Sequence, residues 1–509
     1  METIYLGMSG MTLDHLVQIA RGKNEVRLTR SAIDRISANR ERIENWVRQE
    51  ERIYGITTGF GALSEVAISR ENTRRLQENI LKSHAAGVGE LFDEAPVRAM
   101  MALRLKDAAR GHSAMTLNSV NMLIALLNKG IYPAVPQKGS VGASGDLVPL
   151  AHVALVLLGQ GDAFFEGRQI SGAQALSLCG LKPVKLGPGE GLALVNGTQA
   201  MTAVGALAVH DARQLNKIAD ISAAMSLEVL MGSRTEFNPL IHKIRPHAGQ
   251  KTAAQNMLKI THNSEIISSH KDCKRVQDAY TLRCSPQVHG AIKDTVNYTA
   301  GVIETEMNSS TNNPLIFSEK NKCLSGGNFH GEPVALVMDF LAIGMAELAN
   351  ISERRVERLV NPNLSGLPAF LVKDNGLNSG FMIAQYSAAA LVSENKVLCH
   401  PASVDSIPTS ANKEDHVSMG TIAARKAREV IRNVESVIAI ELLCAAQALD
   451  LFTNRRPGSG VLAAYRTIRE YVSHMEKDRF LSRDIAAIVN LIQNGKILEA
   501  VEKRIGPLN

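Results

Sequence analysis

Three long stretches without proline most constrain what this chain can fold into, and they cover 198–231, 334–360 and 415–452. Proline removes a backbone donor and clashes with the preceding turn of a helix, so these stretches can form helices of many turns. Within the last stretch, Val437–Leu449 is apolar on nearly every face and is interrupted by Glu441. A helix that is apolar all round must be buried on every side. The pattern predicts a mainly α fold with a long-helix bundle core, extended by association of chains.

Composition and length fit such a bundle with a smaller domain attached. The chain has 17 prolines in 509 residues and 4% aromatics, while 45% hydrophobic and 21% charged residues exclude disordered and collagen-like chains. This length exceeds a single hydrophobic core. We expect a smaller N-terminal mixed domain at 1–195, a central long-helix bundle at 196–452 and a C-terminal helical tail at 453–509. The N-terminal domain should contain Gly-rich turns and short strands near 3–6 and 163–170.

Charge and cysteine usage exclude several classes of partner. The chain has 56 Lys and Arg against 50 Asp and Glu, a net charge of +6, and its basic side chains alternate with acidic ones. We therefore expect no nucleic-acid partner. The first residues lack the features of a signal peptide, and no stretch of about 18 uncharged apolar residues predicts a membrane span. The six cysteines include no Cys-x-x-Cys pair, which favours a reduced, cytoplasmic protein with no membrane partner.

Several familiar catalytic motifs are absent. Gly142–Asp146 ends in Asp where a Gly-x-Ser-x-Gly nucleophile elbow has Gly. There is no P-loop, and Gly187–Gly191 lacks the spacing of a dinucleotide fingerprint. The run His330-Gly-Glu332 differs from the His-Glu-x-x-His motif, and the 14 histidines show no ligand spacing, so no metal is expected.

One segment of the N-terminal domain carries a specific motif. Gly139–His152 reads Gly-Ser-Val-Gly-Ala-Ser-Gly-Asp-Leu-Val-Pro-Leu-Ala-His, whereas Ala-Ser-Gly alone is typical of a surface turn. In this context the chain resembles the aromatic amino acid ammonia-lyase family over essentially its whole length. The resemblance implies that Ala143, Ser144 and Gly145 cyclise to 4-methylidene-imidazol-5-one, with Ser144 as 2,3-didehydroalanine and no external cofactor. The Gly145 nitrogen must attack the Ala143 carbonyl, and glycine permits that approach because it lacks Cβ.

The resemblance also implies a base that removes the β-proton of an amino-acid substrate. The electrophilic ring is needed because no ordinary side chain makes the amine a good leaving group. Tyr54, in the run Tyr54–Gly61, matches the family's catalytic tyrosine. A free tyrosine has a pKa of about 10, so this role requires positive charge or helix N-termini that stabilise the phenolate. A tyrosine buried in the core is the alternative.

Further positions match the family's substrate site one by one. Arg283 resembles the arginine that binds the substrate carboxylate, although a surface ion pair is the alternative. Tyr280, as a catalytic residue, and Gln277 also match, and helical spacing puts Tyr280 and Arg283 one turn apart. Asn196 matches an asparagine near the ring and the carboxylate, but it could also cap the following helix. Phe329 resembles an aromatic residue packed near the ring, or it belongs to the core.

Two positions favour L-histidine as the substrate. His84 matches histidine-specific members, although tyrosine-specific members share it. Glu414 discriminates better, because a carboxylate accepts a hydrogen bond from an imidazole N–H and members acting on Phe or Tyr usually carry Asn-Gln-Asp here. Lys413 replaces the usual Gln, and it either pairs with Glu414 or points into solvent. The expected reaction converts L-histidine to trans-urocanate and ammonia, the first step of histidine degradation.

Other interpretations stay open. An ammonia-lyase or aminomutase acting on tyrosine or phenylalanine would use the same ring. Aspartase and fumarase enzymes carry a Gly-Ser-Ser-x-Met-Pro-x-Lys-x-Asn loop that this chain lacks. A non-enzymatic scaffold would have no reason to retain the ring motif together with the matching tyrosine, arginine and glutamate. The resemblance further implies a homotetramer whose active sites combine residues of more than one chain.

Overall fold

The chain is mainly helical. The computed structural model describes residues 3–59, 61, 70–270 and 276–509. About 61% of the chain is helical and strands are few, which confirms the predicted fold class. The α-helices of the described residues are, in chain order, α1 (Leu13–Ala20), α2 (Arg30–Arg48), α3 (Arg70–His84), α4 (Glu94–Arg110), α5 (Leu117–Asn128), α6 (Leu147–Leu157), α7 (Gly172–Leu178), α8 (Glu190–Val195), α9 (Gln199–Val229), α10 (Pro239–Ile244), α11 (Ala248–Ile260), α12 (Glu265–Ser268), α13 (Tyr280–Arg283), α14 (Ser285–Met307), α15 (Glu332–Val360), α16 (Pro362–Ser365), α17 (Met382–Leu398), α18 (Gly420–Leu449), α19 (Ser459–Tyr471), α20 (Leu481–Gln493) and α21 (Lys496–Ile505).

Short strands form small sheets beside these helices. The strands are β1 (Ile4–Leu6), β2 (Val26–Leu28), β3 (Val88–Leu91), β4 (Tyr132–Pro133), β5 (Pro136–Lys138), β6 (Asp162–Phe165), β7 (Arg168–Ser171), β8 (Leu315–Phe317) and β9 (Lys322–Leu324). β1 and β2 pair in parallel, whereas β3 with β5, β8 with β9, and the order β4-β6-β7 are antiparallel. The strands expected near 3–6 and 163–170 are present as β1 and as β6 with β7.

The chain divides into two compact units, each built from three stretches of sequence. The first unit comprises Met1–His210, Ala300–Asp339 and Pro401–Arg425. The second unit comprises Asp211–Thr299, Phe340–His400 and Lys426–Asn509. This division into two discontinuous units does not test the three consecutive domains expected from the sequence, which remain a prediction.

The proline-free stretches form the three long helices α9, α15 and α18. Every residue of Val437–Leu449 is buried within this single chain, as its apolar pattern predicts. That segment therefore does not itself require association of chains. α18 begins only at Gly420, because Met419 has a φ of 55° and donates its N–H to the Val141 carbonyl at 2.9 Å. Absence of proline allows a helix but does not determine where it starts.

One described helix, α15, is long and apolar enough to cross a membrane by length and hydropathy. In its most apolar window 61% of the residues are buried inside the chain. The core helices of globular proteins pass the same test, because protein interiors and lipid favour the same side chains.

Five cysteines are free thiols, Cys179, Cys284, Cys323, Cys399 and Cys444. Cys273 lies outside the described residues.

Candidate active site

The ring motif lies in a backbone turn that requires glycine. Gly142 and Gly145 have φ angles of 68° and 73°, in the left-handed region that favours glycine. A Cβ on Gly145 would lie 2.2 Å from the carbonyl oxygen of Gly197. Gly197 pairs with the turn, because its N–H donates to the Ser144 carbonyl at 3.3 Å. Two backbones therefore approach too closely at residue 145 for any side chain.

Asp146 fixes the end of this turn. Its carboxylate accepts hydrogen bonds from Ser140 Oγ at 3.0 Å, from Thr421 Oγ1 and from the Met201 N–H at 2.7 Å. The Met201 N–H belongs to the first turn of α9, where backbone donors lack helical partners. Asp146 is completely buried. Burial raises the pKa of Asp146 above its ordinary value, and the hydrogen bonds offset only part of this effect.

A segment from far along the chain covers the other side of the turn. Ser418 Oγ donates to the Gly142 carbonyl at 3.0 Å across 276 residues of sequence. The neighbouring Met419 N–H donates to the Val141 carbonyl at 2.9 Å. Ala143 is buried against the same segment. The conformation of the motif is thus imposed by distant parts of the first unit.

Glu414 joins the motif to a second turn. Ser144 Oγ donates to Glu414 Oε1 at 2.9 Å, and Thr409 Oγ1 donates to Glu414 Oε2 at 2.9 Å. Between Thr409 and Glu414, the residues Ser410–Asn412 have φ angles of 52° to 65° and form a tight turn. Lys413 is exposed in this turn. Both oxygens of the Glu414 carboxylate are therefore occupied by hydroxyl donors.

Tyr54 lies within electrostatic range of Glu414. Its hydroxyl oxygen accepts a hydrogen bond from the Gly61 N–H at 3.0 Å. Burial raises the pKa of Tyr54, the Gly61 hydrogen bond lowers it, and the Glu414 charge raises it further. Of these three effects, only the hydrogen bond favours the phenolate. The positive charge that a tyrosine base needs is not among them.

His84 ends α3 and also feels the charge of Glu414. Its Nδ1 is 3.0 Å from Ser83 Oγ. Burial lowers the pKa of His84, while a hydrogen bond to the Ile80 carbonyl and the Glu414 charge oppose part of that shift. Burial therefore favours the neutral form of this imidazole. A neutral imidazole donates from one nitrogen and accepts at the other.

Asn196 is a buried polar residue at the end of α8. Its N–H donates to the Leu192 carbonyl at 2.9 Å, so Asn196 closes α8 rather than capping the next helix. Its carbonyl accepts a hydrogen bond from Arg104 Nη1 at 2.7 Å, and burial lowers the pKa of Arg104 to about 9. Among the described residues, Asn196 Oδ1 has no hydrogen-bond partner. A buried amide oxygen without a donor is unfavourable, and a ligand could supply the missing donor.

Phe329 is half-buried in the turn that precedes α15. Two residues later, Gly331 packs so closely that a Cβ there would lie 2.7 Å from Ser418 Oγ. Ser418 is the residue that binds the Gly142 carbonyl. The segment around Phe329 therefore lies beside the ring motif.

Gln277, Tyr280 and Arg283 belong to the second unit. Arg283 Cζ is 4.7 Å from the centroid of the Tyr280 ring, as their helical spacing predicts, and Tyr280 is 71% exposed. Gln277 and Arg283 line a cavity of about 950 Å³ together with Glu236. Arg283 Nε is buried and has no hydrogen-bond partner in the described part of the chain. This group therefore offers an unused guanidinium donor.

Comparison with known proteins identifies the family. A family model described as aromatic amino acid lyase matches residues 11–470. The chain belongs to the aromatic amino acid lyase family. A relative of this lyase, the histidine ammonia-lyase of Alkaliphilus oremlandii, is 53% identical over 505 residues, which cover 99% of each chain.

Solved structures of aromatic amino acid lyases and related enzymes share the whole fold. Histidine ammonia-lyase from Trypanosoma cruzi has a TM-score of 0.92 at 42% identity, covering 99% of this chain and 96% of that one. Tyrosine aminomutase from Streptomyces globisporus has a TM-score of 0.95 at 37% identity, covering both chains completely. The fold is therefore common to proteins named for different activities.

Several residues around the site of this aromatic amino acid lyase were not identified from the sequence. Ser140 and Thr421 hold Asp146, and Thr409 holds Glu414. These are common hydroxyl residues without a characteristic spacing, and Thr421 reaches Asp146 across 275 residues. Only a three-dimensional contact distinguishes them from other Ser and Thr residues.

Proposed function

We propose that this chain is a histidine ammonia-lyase that eliminates ammonia from L-histidine to give trans-urocanate. The observation that carries the proposal is the 2.9 Å hydrogen bond from Ser144 Oγ to Glu414 Oε1. It links the serine of the ring motif to the carboxylate assigned to imidazole recognition. Relatives at 53% and 42% identity that carry the name histidine ammonia-lyase support the same activity.

The residues of the motif fit a methylidene-imidazolone ring. Ala143 is small and buried, and the position of Gly145 has no room for a Cβ. Cyclisation forms a bond from the Gly145 nitrogen to the Ala143 carbonyl carbon with loss of one water, and the Ser144 hydroxyl leaves as a second water. The ring supplies an electrophilic carbon that binds the substrate amine without an external cofactor.

Glu414 is proposed to recognise the imidazole of the substrate. When the Ser144 hydroxyl has left, Glu414 Oε1 loses its donor while Thr409 still holds Oε2. The imidazole N–H of L-histidine fits this vacant acceptor, whereas a phenyl ring offers no donor. His84, whose neutral form is favoured by burial, can contribute a second hydrogen bond in the same region.

Tyr54 is proposed to remove the β-proton. Burial and the Glu414 charge raise the pKa of Tyr54, which opposes the phenolate. L-histidine brings an ammonium group, and a positive charge nearby favours the ionised form of a tyrosine. Substrate binding therefore supplies part of the charge that the free site lacks.

Arg283 is proposed to bind the substrate carboxylate, assisted by Gln277 and Asn196. Its buried Nε has no partner among the described residues, and a guanidinium can hold a carboxylate in a bidentate manner. Tyr280 is proposed as a further catalytic residue. Phe329 is proposed to pack near the ring.

The enzyme is further proposed to be a cytoplasmic homotetramer with shared active sites. Phe340 and Ile343 on α15 are 44% and 49% exposed, and Ile383 and Tyr386 on α17 are 55% and 60% exposed. Large apolar side chains grouped on helix faces are typical of surfaces that another chain covers. No nucleic-acid, membrane or metal requirement is part of this function.

Ultraviolet absorbance tests the proposal directly, because urocanate absorbs where histidine does not. The enzyme should raise the absorbance with L-histidine and not with L-tyrosine or L-phenylalanine. Intact-mass spectra should show the wild type lighter than its sequence by two waters, while Ser144→Ala should keep its full mass and lose nearly all activity. A wild type of full sequence mass, or product formed only from tyrosine or phenylalanine, would overturn the proposal.

A second candidate is a tyrosine or phenylalanine ammonia-lyase or aminomutase. This alternative rests on the tyrosine aminomutase that shares the whole fold at 37% identity. An aminomutase would return an amino acid with its amine on the β-carbon, which chromatography separates from both histidine and urocanate. The same three substrates therefore distinguish the two candidates.

A further inference from the structure

The first unit brings three metal-ligating side chains together beside the ring motif. His330, Glu332 and His416 each present one ligand atom, and these atoms all lie within 4.8 Å of one another. The rings of His330 and His416 stack with centroids 5.5 Å apart. His330 and Glu332 flank the start of α15, and His416 comes from the segment that follows Glu414. The sequence did not predict this group because 84 to 86 residues separate its two parts.

Hydrogen bonds orient both imidazoles. His330 Nε2 is 3.3 Å from the His416 carbonyl oxygen, and His416 Nδ1 is 3.2 Å from Ser406 Oγ. A carbonyl oxygen only accepts, so His330 carries its proton on Nε2 and presents a lone pair on Nδ1. The Glu332 N–H donates to that Nδ1 over a long distance of 3.4 Å, and a bound ion would replace this weak hydrogen bond. Histidines that bind metals typically donate their other ring N–H to such an oxygen.

The carboxylate of Glu332 provides an independent observation. Its Oε2 is buried, and it has no hydrogen-bond partner among the described residues. A buried carboxylate oxygen without a donor is unfavourable. A cation held between the two imidazoles would give this oxygen a partner.

We propose that His330, Glu332 and His416 form a site for a divalent transition-metal cation of the Zn²⁺ class. Two neutral imidazoles and one carboxylate suit Zn²⁺ better than Mg²⁺ or Ca²⁺, which prefer oxygen ligands. A tetrahedral ion with bonds of about 2.0–2.1 Å holds its ligands about 3.3 Å apart, so the side chains need to close by at most about 1.5 Å. His416 is exposed and the other two side chains are half-buried, which allows this movement.

Such an ion would connect the segment that carries Phe329 to the segment that carries Glu414. It would leave one coordination position for water, since the chain supplies three ligands. The proposal does not depend on the lyase reaction, because binding is measured on the resting enzyme.

Calorimetric titration with Zn²⁺ of the full-length, chelator-treated protein tests the site. The wild type should bind one ion per chain, and His330→Gln, Glu332→Gln and His416→Gln should each weaken binding about tenfold or more, because even outer-shell changes have effects of this size. His247→Gln, at an exposed histidine outside the cluster, should bind like the wild type. Mg²⁺ should give no comparable binding.

Absorption of the Co²⁺-substituted wild type provides a second measurement that needs no variant to fold. Imidazole and carboxylate ligands in a four-coordinate site should give a visible band much stronger than that of aqueous Co²⁺. No Zn²⁺ binding by the wild type, equal binding by all four variants, or a Co²⁺ spectrum identical to that of the free ion would overturn the proposal.

Discussion

Asp146 in the first unit and Glu441 in the second are both completely buried carboxylates, but their partners differ. Glu441 receives the buried guanidinium of Arg355 through two hydrogen bonds of 2.6 Å and 3.0 Å. Ser226 and Ser352 each donate a further bond to it at 2.6 Å. Asp146 instead accepts from two hydroxyls and from backbone N–H groups.

The difference appears in how each group ionises. Burial raises the pKa of Glu441, but the Arg355 charge and its hydrogen bonds outweigh burial and hold that pKa below its ordinary value. Burial likewise raises the pKa of Asp146, and neutral donors do not reverse the effect. Glu441 is thus neutralised by a buried cation, while the donors that hold Asp146 are neutral hydroxyl and backbone N–H groups.

Of the variants that test this contrast, Glu441→Gln should change the free energy of unfolding most. The amide removes the negative charge and leaves Arg355 buried and unpaired, which should lower the free energy of unfolding by about 3–5 kcal/mol. Urea unfolding followed by circular dichroism measures the change. Glu429→Gln on the same helix is the control, because Glu429 is about half exposed and should change stability by less than about 1 kcal/mol. Equal effects of the two variants would contradict the ion-pair argument.

Asp146→Asn makes the same chemical change in the first unit and should have a smaller effect. The amide oxygen can accept from Met201, while the amide N–H₂ can donate to the hydroxyls of Ser140 and Thr421, which rotate to accept. We expect a loss of about 1 kcal/mol, the scale of one imperfect hydrogen bond. The same unfolding measurement applies. A loss as large as that of Glu441→Gln would show that the charge of Asp146 is itself stabilising.

The pH dependence of the two variants should have opposite signs. Because folding lowers the pKa of Glu441, this residue stabilises the fold when the pH is above its pKa in the unfolded chain. The stabilisation is lost as the pH falls through its pKa in the folded protein. The raised pKa of Asp146 gives stabilisation that is present at acid pH and lost as the pH rises through its folded pKa. The deficit of Glu441→Gln should therefore shrink in acid, and that of Asp146→Asn should shrink towards neutral pH. Unfolding at several pH values checks this, and parallel trends would contradict it.

Thr409→Val should have the smallest effect, since it concerns a carboxylate that is only partly buried. The variant removes the hydroxyl that holds Glu414 Oε2. Loss of one hydrogen bond of about 1 kcal/mol should lower kcat/KM for L-histidine about fivefold, with the mass loss of the ring unchanged. Thr409→Ser keeps the hydroxyl and should retain the wild-type value. Identical kinetics of the Val and Ser variants would remove Thr409 from the site.

Much of the fold follows from local patterns. The absence of proline and the all-round apolar run Val437–Leu449 predict long buried helices, because both signals lie within the element that they describe. The start of α18 could not be predicted in this way, since it depends on the contact of Met419 with Val141. The spacing of Tyr280 and Arg283 is also local, and the two side chains do stack.

The candidate site is less accessible to such reasoning. The family resemblance assigns Ser144 and Glu414 to one site, but neither the resemblance nor any spacing predicts the hydrogen bond between them across 270 residues. The hydroxyls of Thr409 and Thr421 carry no local signal at all. The surroundings of Tyr54 could not be predicted either, because its pKa depends on burial and on the charge of a distant residue.

Because residues 418–421 cover the ring motif, the motif is synthesised well before the residues that hold its conformation. A ribosome adds about 5–20 residues per second, so the 275 residues between Asp146 and Thr421 take roughly 14–55 s to appear. During that interval the nascent chain carries the motif without the partners that shape it. A translation product that stops before residue 418 would contain the complete motif but lack the residues 418–421 that hold its conformation.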